Sequence, residues 1–212
     1  VIVCIHFAVY METTRINRKG PPMSRLPLRS IEDAPAEAQP RLETALQNNG
    51  FLPNLVRLLA NAPVALETYQ TVSGINGRAS LTLSEREAVQ ITAAATHGCG
   101  FCVAGHTAIA EKKAKLDPAV IGALRNTGTV PDTRLDAVAR FTKAVIASRG
   151  AVGDGELADF KAAGFDDQAA LEVVLGVSLA TLCNFANNLG QPALNPELAA
   201  YEWKGAAAAA VE

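Results

Sequence analysis

Aromatic side chains are scarce in this 212-residue chain: one Trp, three Tyr and seven Phe make up 5% of it, although 49% of the residues are hydrophobic. An apolar complement drawn mainly from Ala, Leu and Val favours closely packed helices over a strand-rich fold. Charge of one sign is also missing. Nineteen Lys and Arg stand against 21 Asp and Glu, for a net charge of −2 and a pI near 6.0. Neither nucleic acid nor an anionic membrane surface is therefore an expected partner. No apolar stretch is read as reaching the roughly 18–20 residues that span a bilayer. Four cysteines are too few for a secreted disulfide scaffold, and only Cys99 and Cys102 lie close in sequence. In a reducing compartment such a pair more often does chemistry or binds metal than staples a fold, so a cytoplasmic location is expected.

Residues 1–22 differ from the rest: an apolar run, Val1 to Tyr10, precedes a basic, breaker-rich run, Arg15 to Pro22. A secretory signal would reverse that order. The segment reads as an extension, upstream or artificial in origin, ahead of a natural start at Met23. The other reading is an arm packed on a neighbouring subunit, and Cys4 and His6 are given no functional role. Residues 23–205 read as one all-helical domain, and 206–212 as a frayed alanine-rich tail.

Helical signals then follow one another. Ala34 to Asn48 is expected as a helix started or interrupted by Pro40 and closed at Gly50. A short helix follows Pro53, and another runs from Pro63 until Gly74 and Gly77 end it. Ser84 and Glu87 form a Ser-x-x-Glu capping box for a helix reaching Ala95. The next helix spans about Cys99 to Lys115. Asp117-Pro118, Pro131-Asp132 and Asp154 announce three more, and Asp166 to Asn188 is the most apolar and central one. No segment after residue 30 alternates with a period of two. The fold class is all-α, a bundle of about eight helices with a helical hairpin carrying the Cys-x-x-Cys motif.

The chemistry-bearing residues cluster between 84 and 110. Cys99 and Cys102 sit where a helix's first turn favours thiolate, and three residues is a short enough separation for a disulfide. His106 lies one turn beyond Cys102. On one continuous helix, Glu87 would stand about 18 Å of rise from Cys99, out of reach. If Gly98 and Gly100 reverse the chain, Glu87 lies about 15 Å back along one helix and His106 on the order of 12 Å along the other. The two come level, giving the order Glu87, His106, Cys102. The alternative for Glu87 is a capping role alone, for His106 a satisfied helical histidine. His97 marks the turn, and Cys183 is a small core residue. Val103 stands where c-type haem attachment needs His. Zinc would have Cys99, Cys102 and His106 with Glu87 or His97 as a fourth ligand, against the usual two separated pairs; no metal and no cofactor are expected.

Glu87, eleven residues, Cys99-Gly-Phe-Cys102, three residues and His106 together resemble the alkylhydroperoxidase D-like family within the carboxymuconolactone decarboxylase superfamily. Phe51-Leu-Pro-Asn-Leu-Val-Arg57 and Leu171-Glu-Val-Val-Leu-Gly176 are similar to its peroxidase-related members. The resemblance, covering about residues 40–200, implies a helical fold assembling as homo-trimers or homo-hexamers. It also implies a peroxide-reducing dithiol, with Cys102 as peroxidatic thiolate, Cys99 as resolving thiol, Glu87 as base and His106 as proton relay. A lipoyl-type or thioredoxin-like dithiol would be the external reductant. Phe101 stands where some members have His, which makes this site more apolar. A disulfide reductase or redox-sensing dithiol is the alternative activity. A decarboxylase-like enzyme is another, and it would tolerate loss of both cysteines.

Overall fold

Nine α-helices and one 3₁₀ helix make up the described residues, 24–205, of the computed structural model, and these contain no strand. The readings made for residues 1–22, for a start at Met23 and for residues 206–212 fall outside them. The helices are α1 (Gln39–Asn49), α2 (Asn54–Leu59), α3 (Pro63–Asn76), α4 (Leu83–Thr96), α5 (Gly100–Lys112), α6 (Pro118–Arg125), α7 (Thr133–Ser148), α8 (Asp154–Ala162) and α9 (Asp167–Gly190). The 3₁₀ helix, Pro196–Tyr201, answers to no sequence signal read above.

Most boundaries have the expected physical origin. Pro40 and Pro63 occupy first turns, where no N–H is required. Asp117, Asp132 and Asp166 cap α6, α7 and α9 by accepting from backbone N–H groups at 2.7–2.8 Å. Two boundaries differ. Gly74 lies inside α3, which continues to Asn76. The capping box of α4 is Thr82 with Glu85, not Ser84 with Glu87. Thr82 N donates to Glu85 Oε2 at 2.7 Å, and Glu85 N donates to Thr82 Oγ1 at 3.3 Å. Leu83 is the first helical residue, so Ser84 already lies within the helix and Glu87 is released from any capping role.

Helices α4 and α9 cross the molecule and hold two buried clusters together. One gathers α4, α6, α7, α8 and the start of α9, and three of its phenylalanines stack on one another. Phe141 stacks on Phe160 at 4.2 Å and Phe160 on Phe165 at 4.3 Å. The other gathers α1, α2, α3, α4, α5 and the far half of α9, and it contains Cys99, Cys102 and Cys183. Each fully buried leucine or isoleucine here, such as Leu42, Leu66 or Ile91, contributes roughly 1.5–3 kcal/mol. Close approach of α9 to its neighbours depends on glycine: a Cβ on Gly176 would stand 2.9 Å from Val89 Cγ1.

Helix α9 corrects one expectation. Its 24 residues, at mean hydropathy 1.7, are long and apolar enough to cross a bilayer, which the sequence reading missed because Glu172, Asn184 and Asn187 interrupt the run. In the fold, α9 packs against α2, α3, α4, α5 and α7, and Gln90 of α4 donates to Gly176 O at 2.9 Å.

Glu172 clasps α9 to the segment entering α4, accepting from Ser80 N, Ser80 Oγ, Leu81 N and Gln168 Nε2 at 2.6–3.1 Å. Burial works against its charge, but the hydrogen bonds from Gln168, Ser80 and Leu81 prevail and lower its pKa to about 2. A depressed carboxyl stabilises the fold above its unfolded pKa, and that stabilisation is lost as pH falls from about 4.5 through about 2. Glu172→Gln is therefore expected to lower the urea midpoint at pH 7, with the gap to the parent narrowing towards pH 2. A gap unchanged over that interval would contradict this account.

Candidate functional site

The hairpin of α4 and α5 turns on one residue. Gly98 adopts φ 68°, and Cys99 N donates to Ala94 O at 2.9 Å while Gly98 N donates to Ala95 O at 3.2 Å. This pair of bonds is a Schellman closure, which needs a left-handed residue at the position glycine occupies. Gly100 plays a different part from the one expected: it is the first residue of α5, and a Cβ there would stand 3.1 Å from Trp203 O. The segment after the 3₁₀ helix is held across this corner by Arg125, which donates to Thr107 Oγ1, Tyr201 O and Glu202 O, while Trp203 Nε1 donates to Arg125 O at 3.0 Å.

The reversal brings the sequence-distant groups together. His106 Nδ1 and Glu87 Oε2 are 2.8 Å apart, with 28% of the imidazole side chain and 8% of the carboxylate side chain exposed. Burial alone would lower the imidazole pKa. The charge of Glu87, its hydrogen bond and the nearby Cys99 outweigh burial and raise it above 6.5.

Cys99 and Cys102 are both buried free thiols. They act as one titrating pair. Hydrogen bonding from the Cys102 thiol is the main cause that lowers the Cys99 pKa against burial, aided by the Cys102 backbone N–H, Asn187 and the charge of His106. The same thiol–thiol bond, with burial and the Cys99 charge, raises Cys102 well above a normal thiol. The charge of His106 therefore acts on Cys99, and the direct contact of the imidazole is with Glu87. Cys183 lies in the same buried cluster, and burial, then the Cys99 charge, pushes its pKa up to about 12.

His97 caps α4 and stays with the turn. Its Nδ1 lies 3.0 Å from Asn184 Oδ1, its carbonyl accepts from Asn188 Nδ2 at 2.8 Å, and its ring meets the edge of Phe185 at 5.1 Å. Asn187, which sequence reasoning overlooked, donates from Nδ2 to Cys102 Sγ at 3.2 Å. The available signal was Asn184, Asn187 and Asn188 at helical spacing on the most apolar helix. A cavity of about 380 Å³ opens beside the pair, lined by Cys99, Phe101, Asn187, Asn188, Gln191 and Pro192 among others. Among the described residues, no three His, Cys, Asp or Glu side chains converge as a metal site.

Fold and hairpin together define an AhpD-like helical bundle. Residues 63–149 match the model of the Carboxymuconolactone decarboxylase family. The structure superposes on the alkylhydroperoxidase AhpD core of an uncharacterized peroxidase-related protein from Ralstonia eutropha JMP134, with TM-score 0.76 and 23% identity, covering 84% of this chain and 96% of that one. An uncharacterized peroxidase-related protein from Silicibacter sp. TM1040 gives TM-score 0.72 at 19% identity, covering 86% and 97%. The debrominase Bmp8 gives 0.65 at 16% identity, covering 78% and 90%. No curated protein sequence matches. Residues 63–149 are thus similar to the carboxymuconolactone decarboxylase family, and the chain as a whole shares the AhpD-like fold.

Because the charge and hydrogen bond of Glu87 are the largest contributions set against burial at His106, Glu87→Gln is expected to drop the imidazole midpoint from above 6.5 to below it, read by NMR titration of the ring protons. A midpoint that stays above 6.5 would contradict this electrostatic assignment.

Proposed function

We propose that the protein is a thiol-dependent peroxidase reducing organic hydroperoxides through the Cys99/Cys102 pair. The observation that carries this reading is the 2.8 Å Glu87–His106 contact set against a dithiol whose two thiols share hydrogen bonding within an apolar cluster. Peroxidase-related relatives with the same fold support it.

In the proposed cycle Cys102 is the peroxidatic thiol and Cys99 the resolving one. Cys102 passes its proton to the Cys99 thiolate beside it; the transfer is uphill, because the Cys99 pKa is lowered and that of Cys102 raised, and attack on the peroxide draws it forward. The Cys102 sulfur then attacks the terminal peroxide oxygen. An S–O bond forms, the O–O bond breaks, and the departing alkoxide takes a proton from the solvent and leaves as alcohol. Cys99 next attacks the sulfenic sulfur with His106, oriented by Glu87, accepting its proton. The S–O bond breaks, the hydroxide takes the proton held by His106 and leaves as water, and a Cys99–Cys102 disulfide remains. An external dithiol, lipoyl-type or thioredoxin-like, returns two electrons. The partner in assembly is further copies of this chain, as trimer or hexamer. At 100° per residue, the exposed Leu171, Val174, Phe185 and Leu189 fall within about 60° on one face of α9 and supply an apolar surface for it. A cytoplasmic location and a single domain over residues 23–205 belong to the same proposal.

A dithiol reducing a different electrophile is a second reading. It is favoured by the fold shared with a debrominase whose Cys-to-Ala variant was solved with 2,3,4-tribromopyrrole. Steady-state consumption of an organic hydroperoxide with a dithiol donor separates the two. Peroxide turnover is expected in the parent, lost in Cys102→Ser, and limited to a single turnover in Cys99→Ser. Undiminished turnover by Cys102→Ser would sink the peroxidase assignment, and a decarboxylase-like activity surviving loss of both cysteines would replace it.

A further inference from the structure

The cycle above makes no use of Asn187, yet it is the polar side chain placed most tightly against a sulfur. It is 3% exposed, and its Nδ2 donates to Cys102 Sγ at 3.2 Å. Its other polar atom, Oδ1, is buried and has no hydrogen-bond partner, one of two such side-chain atoms among the described residues; the other is Thr92 Oγ1. An unmet buried acceptor is costly and uncommon in a folded protein. The same residue lines the cavity that opens beside Cys99 and Phe101. One amide of a cavity-lining residue therefore holds the sulfur with its donor and keeps a buried acceptor unpaired beside it.

We propose that Asn187 works with both ends of its amide: Nδ2 steadies the Cys102 sulfur, and Oδ1 accepts the O–H of the hydroperoxide entering the cavity. For its ligand this rests on the peroxidase reading; for its sulfur contact it rests on the geometry alone. With its O–H donated to Oδ1, the terminal peroxide oxygen lies beside the sulfur that attacks it. As the S–O bond forms and the O–O bond breaks, that hydrogen stays on the oxygen that becomes the sulfenic acid. The alkoxide departs on the side away from Asn187 and takes its proton there. The N–H of Asn187 meanwhile stabilises the charge on sulfur before attack, as an N–H donor does for any anion. Asn188 and Gln191 also line the cavity, but Asn187 is the amide that touches the Cys102 sulfur, so its Oδ1 is the acceptor placed to sort a hydroperoxide, which has an O–H to give, from a dialkyl peroxide, which has none.

The test compares the parent with Asn187→Ala and Asn187→Asp in three measurements. The pH dependence of iodoacetamide alkylation reads the thiols without any peroxide. Its midpoint is expected to rise by about one unit in Asn187→Ala, the tenfold loss that follows from removing a donor to a charged sulfur, and further in Asn187→Asp, whose carboxylate repels the thiolate. Single-turnover oxidation by cumene hydroperoxide is expected to slow about 10- to 100-fold in Asn187→Ala, whereas reduction of the preformed disulfide by dihydrolipoamide keeps the parent rate. Discrimination between cumene hydroperoxide and dicumyl peroxide is expected to shrink in the same variant. Asn187→Asp preserves the side-chain shape, so it carries the alkylation test if Asn187→Ala fails to fold. An unchanged alkylation midpoint in a folded variant overturns the sulfur contact. Unchanged oxidation rates with a shifted midpoint overturn the role of Oδ1. A parent that consumes no hydroperoxide overturns the peroxidase reading and the Oδ1 role with it, while the alkylation profile still decides the contact to sulfur.

Discussion

Gly98, at φ 68°, decides whether this molecule has a site at all. Its left-handed backbone closes the end of α4 through two hydrogen bonds and starts α5 two residues later, so the helices run back alongside each other. Without the reversal, Glu87 and His106 would be nineteen residues apart along one rod, on the order of 28 Å. With it they are 2.8 Å apart. Any residue with a Cβ would strain that position, and the space around it is open, so the cost would be conformational rather than steric.

From that reversal follows an asymmetric electrostatic field. A carboxylate raises the basicity of an imidazole that burial alone would suppress, and the imidazole charge helps to lower the Cys99 pKa. The two sulfurs then differ although both are buried: one is held as the readier thiolate and the other keeps its proton against it. Cys183, a third thiol in the same cluster, lacks these partners and is left inert by burial. Placement beside donors, and not burial alone, separates a reactive cysteine from a packing one.

Much of this was legible in the sequence because it is local. The Cys-x-x-Cys spacing, the His one turn on, the aspartates capping α6, α7 and α9 and the prolines in first turns all act within a few residues. The errors share a physical cause. Thr82-Leu-Ser-Glu85 and Ser84-Glu-Arg-Glu87 are both capping-box patterns, two residues out of step, and only the tertiary contact of Glu85 with Arg134 at 2.5 Å and the burial of Glu85 select between them. Gly100 was read as part of the turn, whereas its small size serves the approach of Trp203 more than 100 residues later. Asn187 was missed for the same reason, since its partner Cys102 lies 85 residues away and no local pattern marks an amide on an apolar helix as a neighbour of sulfur. Family resemblance added the expectation of a redox pair, and the geometry added which group stands next to which.

The central claim, that the hairpin presents Cys99 and Cys102 as one redox unit, is tested most directly by peptide mapping of the protein after exposure to one equivalent of an organic hydroperoxide. The account predicts a Cys99–Cys102 disulfide with Cys183 recovered as free thiol. A linkage through Cys183, or peroxide consumed with all three thiols still free, would contradict it.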